Sequence, residues 1–328
     1  MSPGPLVVAF RIGARGRKVV ADTIGDAADI VYLSDLPEPE RAAALRRAGA
    51  LLSHSTEEDL RAEELPLLGN ARLIQFTAAG IDWIPLDRLP PGVPVASNAG
   101  HCAEPMAEHV AALALAAAKR LFVEHRKLRD GEFNQRASNK ILRGGTCGIF
   151  GFGAIGVETA RLMRAFGMRI HAINRRGASD EPVDWIAAPD RLDELLQAAD
   201  VLVISTPLTR ATEGLIGSRE LALMREDAIL VNVARGEIVD EEALYRHLLA
   251  QPRFTACLDA WWVEPVRHGR FATRFPFLDL PNVIGSPHNS AGGGAWRDVS
   301  LGRAVENCRR ALLGETPLHL AGAEERLR

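Results

Sequence analysis

The chain has 328 residues, a formal net charge of -3 and 47% apolar residues, which suffices for a sizeable core and two domains. The small net charge, without runs of like charge, argues against nucleic acid as a partner. The most apolar helical stretch, HVAALALAAA, is half the roughly 20 residues of a membrane span. The four cysteines lack the spacing of metal sites or redox motifs. These features predict a soluble cytoplasmic protein without membrane contact or metal site, whose partner is a small molecule.

Short β-branched runs alternate with segments of helical period along the chain, a pattern typical of βαβ units with a parallel sheet. The strands predicted in the first hundred residues are LVVAF, IVYL, ALLSHS, RLIQFT and VPVASN. The following segment, EPMAEHVAALALAAAKRLFVEHRKLRDGEF, predicts one long helix rich in alanine. Its small side chains allow another helix to approach closely, so we expect it to join two domains or to lie in a dimer contact.

A second series of predicted strands follows this helix: TCGIFGF, RIHAIN, VLVIST, AILVNVA, ACLDAW and NVIGSPH. Six strands separated mostly by helix-length segments predict a complete dinucleotide-binding sheet. The last helical segment, WRDVSLGRAVENCRRALLG, is expected to pack back on the first domain. We therefore predict an α/β protein in which residues 1–99 and 291–328 form one domain and residues 100–290 form the other.

The segment GIFGFGAIG fits the pattern G-x-G-x-x-G between a predicted strand and a predicted helix. In this context the first glycine permits a tight turn, the second lets the main chain approach a pyrophosphate, and the third lets the helix pack on the strand. A glycine-rich turn without a ligand is the alternative, but the flanking strand and helix favour a cofactor site. The predicted cofactor-binding residues are Gly151, Phe152, Gly153, Ala154, Ile155 and Gly156.

The segment AINRRG bears on the choice of cofactor, because it ends the second strand of this series. An NAD enzyme usually has an Asp or Glu there, whose charge repels a 2′-phosphate, but this chain has Asn174. Arg175 and Arg176 follow directly and can bind a phosphate dianion through their guanidinium groups. A solvated turn is the alternative interpretation. We predict that NADP(H) is preferred, with NAD(H) as the second cofactor.

Three polar residues, Arg235, Glu264 and His288, follow predicted strands of the second series. Parallel strands end at one edge of the sheet, so these side chains are expected to converge on the ligand crevice. Arginine can hold a carboxylate in a bidentate contact, histidine can pass a proton near neutral pH, and glutamate can orient an imidazole and favour its cation. Each residue alone could simply be exposed. Together they are the groups that reduction of a carbonyl requires.

The motifs GIFGFGAIG, LVNVARGEIVDEEAL, LDAWWVEP and PNVIGSPHNSAG together resemble the D-isomer-specific 2-hydroxyacid dehydrogenase family. In the first domain, FTAAGID and VPVASNAGHCAEPMAEH extend the resemblance. It implies a Rossmann-type dinucleotide-binding domain inserted into a smaller flavodoxin-like substrate domain, and a homodimer. It also implies hydride transfer between a nicotinamide cofactor and a small 2-oxo or D-2-hydroxy acid, with glyoxylate and hydroxypyruvate as the leading substrates.

The resemblance also implies individual roles. Arg235 would bind the substrate and stabilise the oxyanion, Glu264 would pair with His288, and His288 would be the general acid in reduction and the base in oxidation. Asp259 aligns with the aspartate that holds the nicotinamide carboxamide. Further residues expected to contact the cofactor are Thr206, Pro207, Val233 and Ala234, together with Arg235 and His288. Those expected to contact the substrate are Ala79 and Gly80, through their N–H groups, and Ser53 and His54.

Two alternatives stay open at this point. Corepressors resemble the same family, so the chain could be a dinucleotide-sensing regulator, although the complete set of three polar residues disfavours this. A phosphite-oxidising enzyme is the other alternative, whereas Glu264 argues against the formate-oxidising branch, which has glutamine there. Trp261 and Trp262 occupy positions that vary in the family, and VRHGRFATRFPFLDL after Glu264 is predicted to be a solvated loop rather than a cover of the cleft.

Overall fold

The computed structural model of the protein describes residues 4–292, 294 and 296–322. Residues 1–3, 293, 295 and 323–328, which the sequence assigns to the first domain, lie outside the described residues. The described chain forms two compact units. The first contains the residues up to His101 and those after Gly292, and the second is Cys102–Gly292. A parallel sheet with flanking helices lies in each unit, which confirms the predicted α/β class.

The first unit is built on a five-stranded parallel sheet with the order β2-β1-β3-β4-β5. Its strands are β1 (Leu6–Val8), β2 (Ile30–Tyr32), β3 (Ala50–Ser53), β4 (Leu73–Phe76) and β5 (Val95–Ala96). The helices in this part of the chain are α1 (Ala14–Ile24), α2 (Glu38–Arg46) and α3 (Thr56–Asp59). This strand order is the flavodoxin-like one, and each of the five strands predicted for this part is present.

Buried apolar side chains cover both faces of this first sheet. Val7, Leu51 and Ile74 belong to the core on one face. Leu6 and Leu52, their neighbours along the strands, belong to the core on the other face. Because successive side chains of a strand point to opposite faces, a sheet covered on both sides needs continuous apolar runs. LVV and ALL in this sequence are such runs.

The second unit contains a seven-stranded parallel sheet with the order β12-β11-β10-β9-β6-β7-β8. Its strands are β6 (Thr146–Phe150), β7 (Arg169–Ile173), β8 (Trp185–Ala187), β9 (Val201–Ile204), β10 (Ile229–Asn232), β11 (Thr255–Leu258) and β12 (Val283–Gly285). Counted from β6, the order is the Rossmann order 3-2-1-4-5-6 with β12 added beyond the sixth strand. The predicted fold is therefore confirmed, but the prediction of six strands was wrong because it missed β8. That strand has only three half-buried residues, too few to show a hydrophobic period.

The helices of the second unit are α4 (Ala103–Ala118), α5 (Leu121–Arg129), α6 (Ala154–Ala165), α7 (Leu192–Ala198), α8 (Ser218–Leu223), α9 (Glu241–Ala250) and α10 (Pro265–His268). The prediction of one long helix was wrong, because α4 and α5 are separate. Arg120 between them has a φ of 54°, in the left-handed region, which ends the helical run of hydrogen bonds. Lys119 is also tied elsewhere, since its Nζ donates to the carbonyl oxygen of Lys140 at 2.9 Å.

The last helix, α11 (Trp296–Leu312), packs in the first unit against α1, β3 and β4. It buries Ala304, Val305 and Cys308 in the core that also contains Leu6 and Leu52. The chain therefore returns to the first sheet after completing the second. Among the described residues, no helix combines the length and the apolar character needed to cross a membrane.

Candidate active site

The turn between β6 and α6 begins at Gly151, which has a φ of 108°. A Cβ at this position would lie 2.3 Å from the main-chain nitrogen of Thr206. Ser205 also reaches the turn, donating from its Oγ to the carbonyl oxygen of Gly151 at 3.0 Å. Only glycine satisfies both the backbone conformation and the close approach of the chain after β9. The glycine turn is thus fastened to the next strand of the sheet.

The other end of this turn has the properties of an anion-binding helix terminus. Gly153 caps α6 without a side-chain hydrogen bond, and the first turn of α6 has no acidic residue. A Cβ at Gly153 would meet no atom within 4 Å, so the space beside the main chain is open. The positive end of a 12-residue helix, whose first N–H groups have no partner within the helix, suits a pyrophosphate. Residues 151–156, including Phe152, Ala154 and Ile155, therefore fit a dinucleotide cofactor.

Asn174 follows β7 and closes the turn that begins there. Its Oδ1 accepts the N–H of Arg176 at 3.0 Å, and its Nδ2 donates to the carbonyl oxygen of Ala178 at 2.9 Å. These two hydrogen bonds within the turn explain why asparagine occupies position 174, and no bound ligand is needed for the explanation. They do not account for Arg175 and Arg176, whose side chains are exposed and form no ion pair or hydrogen bond with any residue that the structure describes. Arg175 and Arg176 thus follow the carboxyl end of β7 with no acidic partner among the described residues.

The remaining predicted cofactor residues follow the neighbouring strands of the same sheet. Thr206 and Pro207 come after β9, and Val233 and Ala234 come after β10. Val233 and Ala234 are buried. All four lie at the carboxyl edge of the sheet, the edge at which β6 leads into the glycine turn.

Arg235 is held by contacts of its own main chain. The buried Asn232 accepts the N–H of Ala234 at 3.0 Å and donates to the carbonyl oxygen of Arg235 at 2.8 Å. On the other side, a Cβ at Gly236 would lie 2.3 Å from the carbonyl carbon of Trp261. Arg235 is therefore followed by glycine because the chain after β11 packs directly on position 236. Sequence analysis missed Asn232, although an asparagine inside the apolar run AILVNVA was a visible signal.

Glu264 and His288 form a close pair in the second unit. Both carboxylate oxygens of Glu264 lie 2.8 Å from Nδ1 of His288, and Oε1 also accepts the N–H of Trp261 at 2.8 Å. The Glu264 side chain is 9% exposed and that of His288 is 33% exposed, so the carboxylate is enclosed and the ring reaches solvent. Burial would raise the pKa of Glu264, but the hydrogen bonds from His288 and Trp261 and the charges of His288 and Arg235 keep it below the usual value.

Asp259 is fully buried at the end of β11 and fixes the chain that carries His288. It accepts hydrogen bonds from Ser286 Oγ at 2.6 Å and from the N–H groups of Asn289 and Ser290, each at 3.1 Å. Burial would raise the pKa of Asp259, but the hydrogen bonds from Ser286 and Ser290 keep it below its usual value. The aspartate is therefore an anchor for this loop, a role that its sequence position did not indicate.

The stretch after Glu264 is largely exposed, in line with the predicted solvated loop: nine of residues 266–280 are exposed, five are half-buried and only Phe277 is buried. Trp261 is buried and its Nε1 donates to the carbonyl oxygen of Ser286 at 2.8 Å. The half-buried Arg267 pairs with Glu237 at 2.6 Å. Phe277 is fully buried, and the ring of Trp262 stacks on it at a centroid distance of 5.1 Å. Phe277 is therefore the one buried anchor of a stretch whose other residues are exposed or half-buried.

The predicted substrate residues Ala79 and Gly80 lie in the first unit, in the turn after β4. The carbonyl oxygen of Gly80 accepts the Trp83 Nε1–H at 3.2 Å, and that of Ala78 accepts the N–H of Asn98 at 2.8 Å. These contacts hold the carbonyl side of the turn. Within the part of the chain that the structure describes, the N–H groups of Ala79 and Gly80 donate no hydrogen bond. They are the donors that a substrate carboxylate would need.

Ser53 ends β3 and His54 follows it, but the two residues differ in their surroundings. Ser53 is fully buried, and its Oγ donates to Asp59 Oδ2 at 2.7 Å, so the hydroxyl holds its own loop. The His54 side chain stacks on Phe10 at a centroid distance of 3.7 Å. Its Nδ1 lies 2.5 Å from Thr77 Oγ1, which places His54 beside the turn that carries the two substrate residues.

The fold and these groups define a class of protein. The second unit combines a Rossmann sheet and its open glycine turn with the pair of Glu264 and His288. Arg235 is close enough to affect the pKa of Glu264. These are the parts of a nicotinamide-dependent oxidoreductase. Among the described residues, no cluster of three or more His, Cys, Asp or Glu side chains could hold a metal ion.

Known proteins agree with this class. The family model described as D-isomer specific 2-hydroxyacid dehydrogenase, NAD binding domain, matches residues 111–290. Glyoxylate reductase from Aeropyrum pernix is 35% identical over 290 residues, covering 85% of this chain and 84% of that protein. Hydroxypyruvate reductase from Thermotoga maritima is 34% identical over 225 residues, covering 68% and 71%. The crystal structure of a glycerate dehydrogenase related protein from Thermoplasma acidophilum is 31% identical, with a TM-score of 0.65 and coverage of 93% of this chain and 99% of that chain.

The chain belongs to the D-isomer-specific 2-hydroxyacid dehydrogenase family. It is an oxidoreductase that transfers a hydride between a nicotinamide cofactor and a small 2-oxo or 2-hydroxy acid. The family and the enzyme class predicted from the sequence motifs are thereby confirmed.

Proposed function

We propose that the protein is a 2-oxo acid reductase that prefers NADPH and acts on small substrates such as glyoxylate or hydroxypyruvate. The observation that carries this proposal is the pair of Glu264 and His288, which lies in the same unit as the glycine turn and Arg235. The names of the two relatives, a glyoxylate reductase and a hydroxypyruvate reductase, support the choice of substrate.

His288 is the proton donor in this proposal. When bound, the reduced nicotinamide supplies a hydride to the carbonyl carbon, and negative charge develops on the carbonyl oxygen. Glu264 occupies Nδ1 of His288, so Nε2 is the nitrogen that is left to deliver a proton to this oxygen. Both oxygens of the enclosed carboxylate hold the imidazole ring in place. In the oxidative direction, the same Nε2 accepts the proton of the substrate hydroxyl.

Arg235 and the turn after β4 bind the substrate in this proposal. The guanidinium of Arg235 can hold the 2-oxo acid in a bidentate contact and stabilise the charge that develops on its carbonyl oxygen. The N–H groups of Ala79 and Gly80 bind the substrate carboxylate. His54 is a neighbour of this turn through Thr77, whereas Ser53 supports the loop from inside the core.

NADPH is the proposed cofactor because of the residues after β7. Asn174 carries no charge to repel a 2′-phosphate, and Arg175 and Arg176 offer two exposed guanidinium groups without a described acidic partner. Residues 151–156 would receive the pyrophosphate. Asp259, Thr206, Pro207, Val233 and Ala234 would line the site of the nicotinamide half.

A homodimer is the proposed assembly. Apolar side chains on α5 and in the segment after it are more than half exposed, namely Leu121, Phe122, Leu128, Phe133 and Ile141. Exposed apolar residues that occur together mark contact surfaces more often than single ones do. A second copy of the chain would cover them.

Turnover with purified protein tests the proposed function. NADPH and NADH are each offered with glyoxylate, hydroxypyruvate, pyruvate and longer 2-oxo acids, and NADP⁺ and NAD⁺ are offered with phosphite. We expect NADPH oxidation with a small 2-oxo acid as the fastest reaction. Tight cofactor binding without any turnover would instead indicate a dinucleotide-sensing regulator, and phosphite-dependent reduction of the oxidised cofactor would indicate the phosphite branch.

A further inference from the structure

His288 has an unusual main-chain conformation. Its φ is 50°, in the left-handed region that residues with a Cβ seldom occupy. Such a conformation persists only where surrounding contacts hold it. The hydrogen bonds from Ser286, Asn289 and Ser290 to Asp259 are such contacts, because they lie on both sides of His288. The orientation of the imidazole therefore depends on the order of this loop.

A residue distant in sequence completes this set of contacts. His109, on α4, places its Nε2 2.9 Å from Ser286 Oγ and 3.6 Å from Asp259 Oδ1. Its side chain is 25% exposed, so most of the ring is enclosed. His109 is 177 residues away from Ser286 along the chain, and all three residues belong to the second unit.

The directions of these hydrogen bonds follow from the chemistry of the three groups. The carboxylate of Asp259 can only accept, so the hydroxyl of Ser286 gives its one proton to Asp259. Ser286 Oγ is then an acceptor toward His109, and His109 must carry a proton on Nε2. The chain of donors thus runs from His109 through Ser286 to Asp259. Without the proton of His109, the hydroxyl loses one of the two contacts that fix its rotamer.

We propose that His109 is a positioning residue for catalysis, acting through Ser286 and Asp259 on the loop that carries His288. The inference rests on the proposed role of His288 as proton donor. The contacts of His109 with Ser286 and Asp259 lead to His288 through this loop. A shift of a catalytic group by about 1 Å can lower a rate by as much as about 100-fold, so an enclosed histidine outside the site can control turnover.

The test compares His109→Leu, which removes the donor, with His109→Gln, whose amide N–H can donate to Ser286 from a similar position. Ser286→Ala breaks the same chain at its centre and replaces His109→Leu if that variant does not fold. Glu108→Leu, at an exposed neighbouring position on α4, is the matched control. Hydrogen exchange of the amides of Asn289 and Ser290 is measured in the full-length protein, alongside kcat for 2-oxo acid reduction.

We expect these two amides to exchange about five to ten times faster in His109→Leu, the effect of losing one hydrogen bond. We expect kcat to fall about tenfold or more in the same variant. His109→Gln and Glu108→Leu should keep native exchange and native kcat. Unchanged exchange or unchanged kcat in His109→Leu overturns the proposal, as does a His109→Gln variant that is equally impaired. Full activity of a His288→Ala variant would instead refute the proposed function, and the exchange measurement would still report on the loop.

Discussion

The carboxylate of Glu264 engages a single nitrogen of His288, with both oxygens 2.8 Å from Nδ1. This arrangement fixes the tautomer and the plane of the ring at once, because the second nitrogen cannot take the same partner. The Glu264 carboxylate of this pair is enclosed, whereas the His288 ring is partly exposed to solvent.

Replacing His288 should greatly lower turnover without changing the affinity for the cofactor. We expect His288→Ala to lower kcat by about 10² to 10⁴-fold, the usual contribution of a general acid. The dissociation constant of NADPH, measured by fluorescence titration, should stay close to that of the unmutated enzyme. Full turnover of this variant would show that another group supplies the proton.

Arg235→Lys should be nearly as severe as removal of the arginine. A lysine keeps the positive charge but lacks the planar fork that holds a carboxylate or a 2-oxo acid in a bidentate contact. We expect kcat/KM for the 2-oxo acid to fall by about 100-fold or more, as for the loss of one to two charged hydrogen bonds. Arg210→Lys, at an exposed position of the same unit, is the control and should have native kinetics. An Arg235→Lys enzyme with unchanged kcat and KM would refute the role of Arg235.

The cofactor preference can be tested at the two arginines after β7. We expect the double variant Arg175→Ala/Arg176→Ala to raise the KM for NADPH by roughly tenfold or more, since one or two charged hydrogen bonds are lost. NADH, which has no 2′-phosphate, should be used as before. Arg210→Ala, which removes an exposed arginine elsewhere, should change neither KM. Equal kcat/KM for both cofactors in the unmutated enzyme would already rule out the preference.

The lowered pKa of Glu264 predicts a loss of stability in acid. Because the folded protein keeps this carboxyl ionised below its ordinary pKa of 4.5, Glu264 stabilises the fold above that pH. The stabilisation decreases as the pH falls from 4.5 through the lower pKa of the folded state. Glu264→Gln lacks this contribution. The difference in free energy of unfolding between the native protein and Glu264→Gln should therefore shrink with acidity in urea titrations, and a constant difference would contradict the assignment.

The proposed homodimer gives a prediction about mass. Static light scattering at micromolar concentration should give twice the mass of the chain. Placing charges on α5 with Phe122→Asp/Leu128→Asp should yield a monomer, because a dimer would have to bury both carboxylates. Leu249→Asp on α9, at a similarly exposed leucine, should leave the dimer intact. A monomeric native protein would refute this assembly.

The strands and the three polar residues at their ends were predictable for one physical reason. Parallel strands that are covered on both faces need continuous apolar runs, and such runs stand out in a sequence. The residue that follows each run then lies at one known edge of the sheet, as Arg235 does. Chain order alone was therefore enough to predict that Arg235, Glu264 and His288 lie in the same domain.

Features without a local signal were missed. β8 is too short to show a period, and the break between α4 and α5 contains no glycine or proline, only an arginine in the left-handed region. The partners of Asp259 come from a loop about 30 residues further along the chain, and His109 from a helix far before it. Such contacts depend on how distant segments meet in three dimensions, which residue patterns within a single segment do not encode.

The close contact at Gly236 has a consequence for anyone who wishes to redesign this enzyme. Main-chain atoms of Gly236 contact main-chain atoms of Trp261 there. Even one added methyl group would force the two segments apart. Backbone atoms, rather than adjustable side chains, therefore set the distance between Arg235 and the segment that leads to Glu264.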